Sequence, residues 1–569
     1  MEPALPKAVE RSGLGDAVLL TMSKASRPVL WTGIAFLVLI LLAWAGSARG
    51  AMYTRWVQDI FIPLEGVIHL QHGQLPHVDF GTPVGVLYYV IQYLPTLVAP
   101  LSARTVIWSN AIVAVVAFAV AAYAARDRLP AWLAASVSLY VGLVALSTRQ
   151  LGEKLTFVTN NASYNRWSWA LIAVLALLVA LPHPRALRRT ATVDGAIVGV
   201  LLAALFLIKI TYFVAAFGLF ALALVTVRRA APLRFGAVAL LVLGVVLLAV
   251  QLSTGLIGAY LAEMRATVAV QPSKLRPGFA YALGVAFAPG GLVVVLLALL
   301  APRAPASPWS ILSPVAMAGA IFAMGWAVAV QNHPELENPL LPIAAVVAWY
   351  AGRAIAAPAA ADRGTADGER FAAWLRGLAA PLAIGGVLLI PMAQDIASLV
   401  WTARAATVTD PKLAWLQTTP LRDLRMMAMP GEIAPPVFTG EFASDLQFLD
   451  ALGDGTALLR RHIGARHDVT VLPLTWNNPW PALLDLRPVR HELAWWDAER
   501  TFNTAIHPDP AMLDGTDYVL VPKRYYSWGT TLAMLSIYGP TLGRTFHPVG
   551  ETAGWTLYAR NDCAARRLC

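Results

Sequence analysis

The chain has 569 residues, of which 58% are hydrophobic and only 13% charged, and its mean hydropathy is +0.61. Soluble domains carry roughly 25% charge, so a soluble enzyme of this size is excluded for want of polar surface. The net charge of +10 does not point to nucleic acid, because the basic residues sit in short clusters between apolar runs, where they orient a membrane chain.

A polar, basic segment at 1–28 (Lys7, Arg11, Lys24, Arg27) precedes the first apolar run, and no small-residue cleavage site follows. The reading is a cytoplasmic tail and an uncleaved span. Runs near the ~20-residue length of a bilayer crossing predict spans at 29–48, 105–125, 131–147, 167–182, 194–208, 212–227, 235–252, 279–301, 309–330, 340–355 and 379–398. The stretch 84–100, VGVLYYVIQYLPTLVAP, is also apolar but carries three tyrosines, a glutamine and an internal proline. Charge parity decides its treatment. The clusters Arg126/Arg128, Arg185/Arg188/Arg189, Arg228/Arg229/Arg234, Arg303 and Arg353/Arg363/Arg370/Arg376 follow alternate spans. The N-terminal tail shares their side only if 84–100 does not cross, so it is expected to be a re-entrant or interfacial helix.

The expected fold is therefore a polytopic α-helical membrane protein of about eleven transmembrane helices plus that extra helix, all within 29–398. The N-terminus lies in the cytoplasm, and the loops 49–104, 148–166, 253–278 and 331–339 lie outside. From 399 to 569 charge, proline and tryptophan rise and no further span fits. VTVLPLTW (469–476), YVLVP (518–522) and WTLYAR (555–560) read as strands and 441–463 as helical, giving a periplasmic α/β domain. The two cysteines, Cys563 and Cys569, stand in the last seven residues, where a disulfide would close only a small loop. The Ala- and Arg-rich composition suits a bacterial inner membrane.

Polar residues at the membrane surface carry the functional signal. The first outer loop, RWVQDIFIPLEGVIHLQHGQLPHVDFGTPVG, gathers Asp59, Glu65, His69, His72, His77 and Asp79. Ile60, Leu64, Val67 and Ile68 have helical spacing, which predicts an amphipathic helix on the membrane. Asp59 could cap that helix and Asp79 could bind loop amides. A metal reading would use His72, His77 and Asp79, whose spacing matches no known ligand pattern. A catalytic reading needs a fixed carboxylate that takes a proton from a hydroxyl. The second outer loop adds Arg149, Lys154, Tyr164 and Asn165. Lys209 and Tyr212 occupy a short hairpin between two spans, and a lysine there defies the charge rule, so it either snorkels or meets an anion. Lys274 and Arg276 add outer cations, and His333 and Glu335 stand at the mouth of a span. Cations facing carboxylates at one surface suggest a phosphate-bearing substrate.

In these features the sequence resembles the GT-C superfamily of membrane glycosyltransferases. The likeness rests on an acidic residue after the first span (Asp59), on Gly73-Gln74-Leu75-Pro76-His77-Val78-Asp79-Phe80 followed by Thr82-Pro83, on Tyr164-Asn165-Arg166 in the second loop, and on an outer domain after the last span. The layout covers most of the membrane region and the motif about thirty residues. His77 replaces a common tyrosine, and Asp59 is a lone acid beside Ile60, so a two-carboxylate metal site is not implied. The resemblance implies a polyprenyl-phosphate-linked sugar donor, a glycan or lipid acceptor, and Asp59 as general base in one inverting displacement. No cofactor is required, although a divalent metal (Mg or Mn) is compatible. Lys209, Arg149, Lys154, Lys274 and Arg276 would receive the phosphate, and Asp79 and Glu335 would position hydroxyls. Tyr164, Asn165 and Trp167 would line the sugar site, with Glu65, His77, Tyr212 and His333 nearby. Rival readings are a lipid-linked sugar flippase, an oligosaccharide ligase or polymerase, and a non-catalytic assembly subunit. The nearly charge-free spans and one-sided loops favour surface chemistry over transport.

Overall fold

The computed structural model describes residues 50–160, 163–183, 188–270, 290–291, 308–332, 337–356, 367–405, 411–426, 445–523 and 528–562. The predicted span 29–48, nearly all of 279–301, and both cysteines lie outside the described residues.

The membrane part is a helical bundle. After the outer-loop helices α1 (Phe61–Gln71) and α2 (Val86–Tyr93) come α3 (Arg104–Arg126), α4 (Ala131–Leu146), α5 (Ser163–Ala180), α6 (Arg188–Ile208), α7 (Ile210–Thr226) and α8 (Pro232–Thr254). Then follow α9 (Leu256–Val270), α10 (Pro308–Asn332), α11 (Leu341–Ala356) and the long α12 (Asp367–Ala405). Five helical segments among the described residues are long and apolar enough to cross a membrane. Every residue of α5 is buried, as expected of a helix that is apolar on nearly all sides and sits at the centre of a bundle. α6 packs on α8 through Gly195 and Gly199, a small-xxx-small pair. A Cβ at Gly199 would stand 2.5 Å from the Ala239 carbonyl oxygen, so only glycine permits this approach.

The 84–100 stretch forms α2 and a 3-10 turn, Leu94–Leu97. Twelve residues at about 1.5 Å rise reach roughly 18 Å, well short of a ~30 Å hydrocarbon core. Two local expectations are corrected. The segment 253–278 is not simply a loop: Gly255 adopts a left-handed φ of 70° and α9 starts directly after it. And α5 begins at Ser163, so Tyr164, Asn165 and Arg166 stand on its first turn rather than in a loop.

The C-terminal part holds α13 (Asp445–Ile463), α14 (Trp480–Leu484), α15 (Trp528–Thr545) and a four-stranded sheet. Its strands are β3 (Val471–Pro473), β4 (Tyr518–Pro522), β5 (Phe546–Glu551) and β6 (Trp555–Arg560), in the order β3-β4-β6-β5 with β3 parallel to β4 and the rest antiparallel. The three apolar runs read as strands each contain one; α15, which has Pro540 inside it, and β5, whose FHPVGE sequence carries a proline and a glycine, are additions. This part is stitched to the first outer loop. β1 (Ala51–Tyr53) pairs in parallel with β2 (Leu424–Met426). Asp423 accepts from the amides of Ala103 and Arg104 at 3.0 Å each, satisfying orphan donors at the start of α3.

Candidate functional site

The chain enters the site through Trp56, a non-glycine residue in the left-handed region (φ 55°), and turns into the 3-10 helix Val57–Ile60 that carries Asp59. Such a conformation costs energy and persists only where packing enforces it. Here the Trp56 ring packs edge-on to Phe157 at 5.2 Å, and the Thr54 amide donates to the Val158 carbonyl. The second outer loop thus holds the entry to the first. The Asp59 carboxylate lies close enough to Tyr53 and Tyr88 to act electrostatically on both, and the Tyr53 hydroxyl faces Asn160.

A one-residue break separates α6 from α7. Lys209 is extended (φ −162°) where its neighbours are helical. Two contacts fix the break: the Gly85 amide donates to the Ile208 carbonyl at 2.8 Å, and the Ile210 amide donates to the Tyr260 hydroxyl at 3.0 Å. Lys209 Nζ donates to Asn165 Oδ1 at 3.1 Å and lies 4.6 Å from the centre of the Tyr164 ring, a cation–π distance. Tyr212, one turn on, packs edge-on to Trp169 at 5.0 Å. Tyr88 joins the two halves, with ring centres 5.4 Å from Tyr164 and 5.5 Å from Trp167.

A small polar recess is lined by Asn110, Ser147, Arg149, Asn160, Asn165 and Arg166, among others. Its floor is an ion-pair network. Arg149 Nε and Arg166 Nη2 donate to Asp395 at 3.1 and 2.9 Å, Arg149 Nη2 donates to Glu337 at 2.8 Å, and Ser147 Oγ donates to Asp395 at 2.9 Å. Both arginines also donate to backbone carbonyls. Arg149 is therefore held as a structural cation, and Lys154 is exposed on the 149–158 hairpin.

The remaining residues of the first loop serve its docking. Asp79 Oδ2 accepts from the Leu75 amide at 2.8 Å, and Arg490 approaches at 3.9 Å, the loop-amide role its sequence context allowed. His77, in a left-handed conformation (φ 67°), donates to Glu263 and stacks near Tyr260 at 4.5 Å. His72 Nδ1 meets the Ile68 carbonyl at 3.0 Å, so the structure does not bring His72, His77 and Asp79 together. Glu65 is fully buried; burial first, then the neighbouring Glu492, push its carboxyl well above the usual carboxylate range. Lys274, Arg276, His333 and Glu335 lie outside the described residues.

Several site residues escaped the sequence reading. Asp395 gave a signal, a lone acid inside an apolar run. Glu263 gave a weaker one, an acid on a helical stretch after Gly255. Asn477, Asn478 and Glu492 gave none, because polar residues are ordinary in a segment that reads as soluble.

No protein-family model matches this chain, and no curated protein does. Solved structures give likenesses of layout only. The ArnT structure from Cupriavidus metallidurans bound to undecaprenyl phosphate is 13% identical, with 96% of this chain and 98% of that one covered and a TM-score of 0.48. The arabinofuranosyltransferase AftD from Mycobacteria is 14% identical over 94% of this chain and 40% of its own, with a TM-score of 0.40. The Archaeoglobus fulgidus oligosaccharyltransferase, in complex with zinc and sulfate, is 12% identical over 93% and 73%, with a TM-score of 0.39. None of these scores reaches 0.5, and the likeness is not evidence of activity.

Proposed function

We propose that this chain is a membrane glycosyltransferase of the GT-C type, which transfers a sugar from a polyprenyl-phosphate-linked donor to a glycan or lipid acceptor on the periplasmic face of a bacterial inner membrane. The observation that supports the reading is a short aromatic chain between one carboxylate and one cation at a helix break: Asp59 acts electrostatically on Tyr88, the Tyr88 ring packs on Tyr164, and Lys209 lies over the Tyr164 face. That is the arrangement a single displacement needs: a base at the nucleophile and a positive charge at the leaving group.

In the proposed step an acceptor hydroxyl gives its proton to Asp59. Its oxygen bonds to the anomeric carbon as the carbon–oxygen bond to phosphate breaks. The electron pair leaves on the polyprenyl phosphate, which Lys209 neutralises while Asn165 keeps the ammonium in place. Attack opposite to the leaving group inverts the anomeric centre. Tyr164 offers the sugar an aromatic face, and Asn160 and Asn165 offer hydrogen bonds. Arg149 contributes by positioning, since it holds the recess floor through Asp395 and Glu337.

The test is transfer by the purified full chain, in lipid nanodiscs, from a panel of synthetic polyprenyl-phosphate hexoses and pentoses, with product stereochemistry read by NMR. Transfer with inversion is expected. A retained anomeric configuration would overturn the single-displacement mechanism. Donor binding with no transfer to any envelope glycan or lipid would overturn the enzymatic reading.

A further inference from the structure

Apart from the recess, one cluster among the described residues combines full burial, converging ligand atoms and unmet polar groups. It lies where α1 meets the C-terminal part. Glu65, His69 and Glu492 are each 0% exposed. A ligand oxygen or nitrogen from each lies within 4.8 Å of the others. His69 Nε2 stands 3.6 Å from Glu492 Oε1 and 4.0 Å from Glu65 Oε1.

The hydrogen bonds around the cluster orient it. His69 Nδ1 lies 2.6 Å from Gln74 Oε1. Since an amide oxygen only accepts, Nδ1 carries a proton, and in the neutral ring Nε2 offers its lone pair to the two carboxylates. The ring is also clamped flat on Phe80, with centres 4.0 Å apart. Glu65 Oε2 accepts from the Asn478 amide and Glu492 Oε2 from Asn478 Nδ2, both at 3.2 Å. Glu492 Oε1 accepts from the Val489 amide at 3.1 Å. Each ligand thus has an outer partner that fixes its direction, as metal ligands characteristically do. In contrast, Glu65 Oε1 and His69 Nε2, both fully buried, have no hydrogen-bond partner among the described residues. With Glu65 ionised, three electron-rich atoms face one another with no donor between them, an arrangement that a bound cation compensates.

We infer that Glu65, His69 and Glu492 form a binding site for a divalent transition-metal ion of the zinc class, which ties the first outer loop to the C-terminal part. One imidazole nitrogen and two carboxylate oxygens suit Zn²⁺, whereas Mg²⁺ and Ca²⁺ favour all-oxygen sets. Zinc bonds of about 2.0–2.2 Å hold neighbouring donors roughly 3.3 Å apart, so the 3.6 Å pair is nearly in place and the other two draw in. The site is separate from the recess and stands whether or not the chain transfers sugars. It explains why His69 and Glu65 are one helical turn apart on the buried side of α1, and why residue 492 reaches them from the far end of the sequence.

The experiment uses the purified full chain in detergent, stripped with chelator and then dialysed against Zn²⁺ or Mg²⁺. Metal content is measured by mass spectrometry, and Co²⁺ is then substituted to read the d–d absorption of the site. The expected result is about one Zn²⁺ per chain, little Mg²⁺, and a Co²⁺ spectrum of mixed nitrogen and oxygen ligation. Glu492→Gln keeps the size and one of the two outer hydrogen bonds and should lower Zn²⁺ affinity at least tenfold; His69→Gln should abolish the Co²⁺ spectrum. Loss of bound zinc should lower the thermal midpoint of the wild type but not of Glu492→Gln. No zinc above background in the reloaded wild type would overturn the site even if both variants fail to fold. Stoichiometric zinc retained with unchanged affinity by folded Glu492→Gln would equally overturn it, as would uptake of Mg²⁺ in preference to Zn²⁺.

Discussion

Asn477 Nδ2 donates to the backbone carbonyl of Gln58 at 2.6 Å, one residue before Asp59, although the two lie 419 positions apart in the chain. Both residues are buried. The turn that aims the candidate base is therefore held directly by the C-terminal part. Losing Asn477 removes one of two donors to the Gln58 carbonyl, which the Phe61 amide also reaches, at a cost of about 0.5–1.5 kcal/mol. Asn477→Ala should reduce turnover roughly tenfold or more with donor affinity little changed. Steady-state kinetics against donor concentration checks this, and a loss confined to KM would count against the positioning role.

Asp59→Asn should lower transfer by about 10²–10⁴-fold, the usual contribution of a positioned general base, while the protein stays monodisperse and still binds donor. Single-turnover transfer on the purified variant is the measurement; wild-type rates would remove Asp59 from the base role.

Lys209→Ala should weaken donor binding. Hydrogen bonds to charged groups contribute about 1.5–3 kcal/mol, which corresponds to roughly ten- to a hundredfold in affinity. Lys209→Arg keeps the charge but not the compact ammonium that fits between Asn165 and Tyr164, and should fall between. Equilibrium binding of a labelled polyprenyl phosphate reads the series, and equal affinity in all three proteins would sink the phosphate assignment.

Asp395→Asn should be a stability mutation. It leaves Arg149 and Arg166, both buried, without their shared carboxylate, and breaking one side of a buried ion pair costs about 3–5 kcal/mol. A clear drop in thermal midpoint, larger than that of Glu337→Gln, is expected because Glu337 is partly exposed and, among the described residues, forms an ion pair with Arg149 only. Equal midpoints would show that the network holds nothing together.

Gly199→Leu should disrupt the α6–α8 contact, where an added Cβ already collides with the Ala239 carbonyl. Loss of folded protein on size exclusion is expected, whereas Gly244→Leu on the same bundle, where a Cβ meets nothing within 4 Å, should be tolerated.

Much of this was legible in the sequence because the membrane makes strong demands. A spanning segment must be long, apolar and helical, so a helix covers each predicted span among the described residues, although α6 and α12 begin earlier than predicted, and the tyrosine-rich 84–100 stretch, set apart by charge parity, is a helix too short to cross. The first outer loop stood out because acids and histidines are conspicuous beside apolar runs. The sequence by itself therefore determined a helical membrane bundle, a C-terminal sheet and the loops where chemistry gathers. It could not determine which loop residues meet. Hydrophobic periodicity reports the face a residue takes, not its partner, and Asp395, Glu263, Asn477 and Glu492 reach Arg149, His77, Gln58 and His69 only through contacts more than 180 positions apart. The tertiary structure decided that Arg149 and Asp79 are held in place by buried pairs and loop amides, that Lys209 stands free of regular helix at a one-residue break, and that Glu65 faces inward. The physical reason is that a buried charge must find a compensating group wherever the chain places one, and that search is not local.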